Sequence, residues 1–258
     1  MTNNRRSVVY VVEDIKTAQF RYRVKNVVEA LKKSAKWTGE IFKKSEIAKI
    51  DLSEVDILVI LRQTAKNGEI LQLIRRAQEN GVKVLFDLDD LVFDYRDLRT
   101  VVETVQEKNL LYWMGYFWGV RRIARRVDGF LCTNDFLAEK LKQSFGRPVR
   151  VIRNSLSRDQ VEVSGRLVKE KKTRRGDFVV GYFSGSPTHA KDFGMMEEEL
   201  VRFLKTHNEV ILRVVGDMEF SREMQGLISE GRVETSKKVD YLKLQEEMAK
   251  VDVNIAPL

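Results

Sequence analysis

Short, unbroken apolar runs return along this chain, separated by helix-period sequence, and that alternation limits the fold more than any other feature. Residues 7–12 (SVVYVV), 55–61 (VDILVIL) and 82–86 (VKVLF) are such runs. A strand with one wet face alternates apolar and polar residues; a strand covered on both faces need not, so these read as buried parallel strands. Between them the period is 3.6. Phe20, Val24, Val27, Val28 and Leu31 share one helix face. Asn67 is placed to cap a helix carrying Ile70, Leu71, Ile74 and Ala77, which stops at Asn80-Gly81. A long aromatic helical stretch then runs to about Arg126. It is followed by a strand at 128–132, a helix over 134–145, a break at Gly146-Arg147-Pro148 and an extended segment at 149–152.

Residues 154–176 have weak periodicity and many charges and read as a connection. The alternation then restarts, with strands at 178–183, 210–215, 232–235 and 251–256 and helices at 195–206, 219–229 and 241–250. Strands alternating with helices of this length predict an α/β fold with doubly wound parallel sheets. The expected organisation is a Rossmann-like domain over 1–155, a linker over 156–176 and a second Rossmann-like domain over 177–258. About four strands are counted in the second, where five or six are usual, so it is expected to be incomplete and the chain to be part of a longer protein.

With 258 residues, 43% of them apolar, the chain can bury a sizeable core, which excludes an intrinsically disordered protein. No apolar run reaches the roughly 18 residues of a membrane span. The polar, basic start at 1–6 does not read as a secretory leader, so a reducing, cytoplasmic setting is expected. One cysteine, Cys132, excludes a disulfide framework and a thiolate zinc site, and two histidines, His189 and His207, argue against a multi-histidine centre. The formal charge is +8, unevenly placed. Residues 1–160 hold 30 Lys/Arg against 21 Asp/Glu, and residues 161–258 hold 16 against 17. The basic part suits nucleic acid, anionic lipid or a phosphorylated substrate, or is a solvated lysine-rich surface. No nucleic-acid reading module accompanies it, so nucleic-acid binding ranks last.

Ligands of open α/β sheets bind beyond the carboxyl ends of the strands, so the residues after each strand are the ones to read. After 178–183 comes a small-residue turn, Ser184-Gly185-Ser186, followed by His189 and Lys191 and leading into a helix. Free N–H groups, a helix N-terminus and a lysine suit a diphosphate; an ordinary strand-to-helix turn with a serine cap has the same composition. Gly216-Asp217 follows the next strand, where the glycine permits close approach. In the first half, 82–86 runs into Asp87-Leu88-Asp89-Asp90, with Asp94 nearby. Three readings stand: a Mg²⁺ or Mn²⁺ site, a general base toward a hydroxyl, or helix caps paired with Arg96 or Arg99. Arg21 and Arg23 either meet an anionic substrate or are helix-surface charges. Residues 110–118, rich in aromatics and followed by Arg121-Arg122 and Arg125-Arg126, suit a membrane interface or lipid-linked acceptor, or a core helix with an arginine-rich end.

Taken in order, these stretches resemble GT-B-fold glycosyltransferases, family 4 and bacterial polysaccharide relatives above all. The second half is similar to the donor domain through VVGYFSGSPTHAKDF (179–193), LRVVGDMEF (212–220) and DYLKLQEEMAKVDVNIAPL (240–258). The first half is similar to the acceptor domain through FRYRVKNVVEAL (20–31), FDLDDLVFD (86–94) and the segments CTNDFLAEKLKQSFG (132–146) and VRVIRNS (149–155). EDIKTA (13–18) stands where such enzymes carry a glycine-rich loop. The resemblance implies transfer of a sugar from a nucleotide-sugar donor to a hydroxyl of a glycan or lipid-linked glycan, in cell-surface polysaccharide synthesis. It implies Ser184, Gly185, Ser186, His189 and Lys191 at the diphosphate, Gly216 and Asp217 near the nucleotide, and Asp89 or Asp90 as the acceptor-side base. No metal is expected, because fixed N–H groups and Lys191 can stabilise the leaving diphosphate. A cytoplasmic enzyme, peripheral at an anionic membrane, is the expectation; a non-catalytic, transferase-like binding protein is the alternative.

Overall fold

The computed structural model describes residues 5–65, 68–104, 109–170, 176–184 and 190–256. The chain divides into two compact units, residues 1–156 and 157–258. In the first unit the strands are β1 (Arg6–Val12), β2 (Trp37–Lys43), β3 (Ile57–Leu61), β4 (Lys83–Leu88), β5 (Gly129–Cys132) and β6 (Val149–Val151). They form one sheet in the order β2-β1-β3-β4-β5-β6, parallel throughout. The helices are α1 (Ala18–Phe20) and α2 (Asn26–Leu31), joined by a π-turn at Arg21–Lys25, then α3 (Glu69–Glu79), α4 (Leu98–Thr104), α5 (Leu110–Ala124) and α6 (Asp135–Phe145).

The unbroken apolar runs have a simple cause. Val9 and Val11 of β1 pack with Leu58, Ile60, Phe86 and α5 residues such as Phe117 and Val120 on one face of the sheet. Val8, Tyr10 and Val12 pack with Val24, Val28, Val59 and Leu61 on the other. Both side-chain sets of one strand are therefore buried, each large side chain contributing about 1.5–3 kcal/mol.

In the second unit α7 (Arg158–Glu170) precedes β7 (Phe178–Phe183), α8 (Ala190–Thr206), β8 (Val210–Val215), α9 (Arg222–Ser229), β9 (Val233–Ser236), α10 (Tyr241–Met248) and β10 (Val253–Ile255). The strand order is β10-β7-β8-β9, again all parallel. Val180, Tyr182, Leu212, Val214, Phe193, Leu204, Met224 and Leu227 make its core.

Two elements depart from the sequence reading. β2 was not expected. As the edge strand it is half-buried with no alternation, and Trp37, Ile41 and Phe42 are interrupted by Gly39, so the pattern carries no strand period. Within the expected connection, 158–170 forms helix α7, which packs on α10. Val161 and Val168 lie on its exposed side, which hides its amphipathic period. Asn67, the expected cap of α3, lies outside the described residues.

α5 is fixed by a close approach. A Cβ at Gly119 would sit 2.8 Å from Thr64 Cβ and 3.3 Å from the Ala65 nitrogen, and Ala65 N–H donates to the Gly119 carbonyl at 3.2 Å. Gly115, one turn earlier, has nothing within 4 Å. Urea titrations should therefore give opposite signs. Gly119→Ala should lower stability by about 1–3 kcal/mol through overpacking. Gly115→Ala should raise it by up to about 1 kcal/mol through helix propensity alone.

Candidate functional site

In the first sheet the order reverses between β1 and β3, which opens a crevice at their carboxyl ends. The largest charged group behind that edge is Arg23. The π-turn carries it inward, and its side chain and that of Asp87 are each only 1% exposed. Arg23 Nε and Nη2 donate to both oxygens of Asp87, at 2.8–3.2 Å. Nη1 donates to the Ile152 carbonyl and to Asn154 Oδ1 at 3.3 Å. Asn26 adds a bond to the Ser155 carbonyl at 2.9 Å. Arg23 is thus neither a surface charge nor a cleft-facing one, which corrects both sequence readings: period alone cannot reveal a partner 64 residues away.

Asp89 and Asp90 stand just beyond β4 and share Arg62. Asp89 is 17% exposed, accepts from Gln19 Nε2 at 2.5 Å and lies 3.6 Å from Arg62 Nη1. Asp90 is 58% exposed and takes a direct bond from Arg62. Asp94 is structural. It caps the turn Tyr95–Asp97, binds Arg96 at 2.5 Å and accepts from Ser144 of α6 at 2.9 Å, and the Arg96 bonds hold its carboxyl well below the usual range. Arg96 was expected in such a pairing. Arg99 was too, but it binds Glu103 instead, because that residue lies one helical turn on. Beside Arg62 lies a cleft of about 310 Å³ lined by Glu13, Lys44, Gln63, Thr64, Tyr112 and Tyr116. Gln63 is buried, and its Nε2 donates to the Val11 carbonyl at 3.2 Å. Among the described residues no group of three or more His, Cys, Asp or Glu is arranged to hold a metal ion.

Sequence reasoning missed Arg62, Gln19 and Gln63. Arg62 and Gln63 immediately follow β3, so reading that strand's end like the others would have found them. Gln19 gives no such signal.

Burial pushes the Asp87 carboxyl up to about 6, against the pull of the Arg23 guanidinium. Burial likewise raises the Tyr10 phenol, and the Asp87 charge adds to it. Unfolded, Asp87 titrates at its ordinary value of 3.8. The folded state therefore holds the extra proton between about pH 4 and 6, and this group's contribution to stability falls as pH rises through that window. Arg23→Met removes the only opposing pull and raises the folded value further. Urea melts should show a loss of about 3–5 kcal/mol near pH 8, as for a broken buried pair, shrinking toward about pH 5. Adding Asp87→Leu should recover most of it.

In the second unit the strand order turns between β7 and β10. Ser184, directly after β7, is buried, and its N–H donates to the Val215 carbonyl at 2.8 Å. Gly216 has φ 129, and a Cβ there would fall 2.7 Å from the Ser184 carbonyl oxygen. The close approach read from the sequence is met here by the chain's own backbone. Gly216 N–H continues the ladder to Ser236 at 2.8 Å, and Asp217 is exposed. Gly185, Ser186 and His189 lie outside the described residues. Lys191 falls in the first turn of α8.

No family model matches the chain, and no curated protein is similar to it in sequence. Solved structures are similar in fold. A putative UDP-N-acetylglucosamine 2-epimerase from Listeria monocytogenes matches 97% of this chain and 73% of its own, with 10% identity and a TM-score of 0.57. The Neisseria meningitidis UDP-GlcNAc 2-epimerase, solved with UDP-GlcNAc bound, matches 96% and 76% at 12% identity and 0.55. A UDP-glucosyltransferase from Polygonum tinctorium, capable of glucosylating indoxyl, matches 100% and 81% at 11% identity and 0.52. The fold is therefore GT-B-like, with two Rossmann-like units in one chain. Among the described residues no helix is long and apolar enough to cross a membrane.

Proposed function

We propose that this chain is a nucleotide-sugar-dependent glycosyltransferase that moves a sugar onto a hydroxyl of a glycan or lipid-linked glycan. Residues 1–155 form the acceptor side and 177–258 the donor side. The observation that carries the reading is Asp89: a part-buried carboxylate at the end of a central strand, oriented by Gln19 and screened by Arg62, within a fold shared with an epimerase solved with UDP-GlcNAc bound and with a UDP-glucosyltransferase.

In this reading the acceptor oxygen attacks the anomeric carbon, the bond from that carbon to the phosphate oxygen breaks, and the diphosphate leaves with the electron pair. In an inverting course Asp89 takes the hydroxyl proton, with Asp90 as its neighbour on the same arginine. Ser184, Gly185, Ser186, His189 and Lys191 meet the diphosphate, and Gly216 and Asp217 lie near the nucleotide. N–H groups at the start of α8 and Lys191 stabilise the charge that develops on the leaving group. The setting proposed is the cytoplasmic side of a membrane, in polysaccharide synthesis. A second reading, epimerisation of a UDP-sugar at carbon 2, is favoured by the likeness to the two epimerases.

Calorimetry with UDP, GDP and ADP, followed by product analysis with UDP-GlcNAc and UDP-glucose, separates these readings. Transfer requires nucleoside diphosphate binding that Lys191→Ala weakens at least about ten-fold, in line with loss of one charged contact. Asp89→Asn should leave that binding unchanged while lowering turnover by about 10²–10⁴-fold. Appearance of the 2-epimer without any acceptor would establish the second reading. A folded chain that binds none of the three nucleotides would leave the non-catalytic alternative.

A further inference from the structure

We propose that the outer face of α5 is a docking surface for an anionic lipid bilayer. The helix has two unlike faces. Phe117, Val120, Ile123 and Ala124 are buried in the sheet's core, and Gly119 seats the helix against the β3–α3 loop. The opposite face carries Leu110, Met114 and Trp118, stacked at i, i+4 and i+8, with Leu111 alongside as the i−3 neighbour of Met114. Leu111 is 78% exposed, Trp118 53%, Leu110 51% and Met114 45%. Four large apolar side chains in a row are an exposed patch rather than scattered surface residues.

Charge decides the occupant. Residues 109–127 contain no Asp or Glu and four arginines. All four arginines lie in the last turn of the helix or just beyond it. The Arg122 guanidinium lies over the Trp118 ring at 4.5 Å, so the apolar row passes directly into the cationic end. Arg125 and Arg126 are exposed at the cap, and Arg126 shares a surface cleft with Arg75 of α3. Residues 1–156, which include α5, hold 29 Lys/Arg against 20 Asp/Glu. An apolar row with an indole at its rim and arginines beside it fits the boundary between acyl chains and phosphate headgroups. The helix then lies in the interface plane with the exposed Arg125 and Arg126 at the phosphates, whereas Arg121 and Arg122 donate to the Phe93 and Ala65 carbonyls at 2.8 Å. The surface deepens the membrane setting proposed above and rests on that part of the reading; its vesicle test is separate from the nucleotide and turnover tests of sugar transfer.

Co-sedimentation of the full chain with vesicles tests it. The wild type should bind equimolar phosphatidylcholine/phosphatidylglycerol vesicles, with a blue shift of tryptophan emission that Trp118→Phe diminishes, and should bind phosphatidylcholine vesicles far less. Leu111→Glu/Met114→Glu should lower the partition coefficient about ten-fold or more. Arg125→Glu/Arg126→Glu should lower it as well and flatten its dependence on salt. All four positions are exposed, so urea midpoints and UDP titrations should stay at wild-type values; these controls keep a folding or donor-site defect distinguishable. Absence of wild-type binding, or equal binding by both double variants, overturns the proposal. So does a wild-type dimer that Leu111→Glu/Met114→Glu dissociates while vesicles bind neither protein, since the face would then belong to a second copy of the chain.

Discussion

The first unit is organised around one buried ion pair. Taking Arg23 and Asp87 out of water is expensive, and their attraction offsets that cost only when the remaining hydrogen-bonding capacity is filled. Both conditions shape the local fold. The two guanidinium nitrogens on Asp87 make a bidentate pair, and the third nitrogen is filled by Ile152 and Asn154. The helix after β1, the end of β4 and the segment leaving β6 are thereby joined at one point. The π-turn at Arg21–Lys25 is the backbone adjustment that brings both Arg23 and Val24 inward. Such local widening of a helix is frequent near functional sites, and here it supplies the cation that lets a carboxylate sit beneath the sheet edge.

That arrangement sets the electrostatics of the carboxylates above it. Arg23 is committed to Asp87, so Asp89 and Asp90 depend on Arg62. One arginine shared by two carboxylates leaves a net negative edge, which suits proton acceptance from a hydroxyl better than capture of an anion. The edge of the second unit is built on the opposite plan. There the tight contact is between backbones: Gly216 lies against Ser184, and the ladder bonds from Ser184 to Val215 and from Gly216 to Ser236 carry the sheet one residue past β7 and β8. The chain leaving β7 is fixed where it begins, just before the segment that the sequence marks as small and helix-initiating.

Every strand but β2 was legible, including the exposed edge strands β6, β9 and β10, whose place in the strand–helix alternation marks them. β1, β3, β4, β5, β7 and β8 announce themselves as apolar runs because most of their side chains, on either face, are buried. β2 did not, because its burial follows no alternation and Gly39, close under Val28 and Leu31, interrupts its apolar residues. α7 was hidden by apolar residues on its exposed side. The aspartates after β4 were legible as a cluster, but their division of labour was not. Whether an aspartate is a buried partner, a cleft-facing carboxylate or a cap depends on Arg23, Arg62 and Ser144, which lie 64, 27 and 50 residues away from Asp87, Asp89 and Asp94 in sequence. Periodicity reports which face a residue occupies and is silent on long-range polar pairing.

The charge asymmetry between the two halves takes a different meaning once these pairs are known. At the carboxyl edge of the first sheet the cations are answered: Arg23 by Asp87, Arg62 by Asp89 and Asp90, and Lys44 by Glu13 at 3.7 Å. The cleft therefore does not draw on the surplus of positive charge, so that surplus is no argument for an anionic ligand in the cleft. It is carried by outer surfaces, among them the arginine end of α5, where Arg125 and Arg126 are exposed. A long-range field of this kind acts on extended anionic surfaces, whose potential is summed over many headgroups, more than on a single small ligand. With the surplus beside an exposed apolar row rather than around the carboxylates, the proposed docking surface and the proposed site of chemistry occupy different parts of one unit.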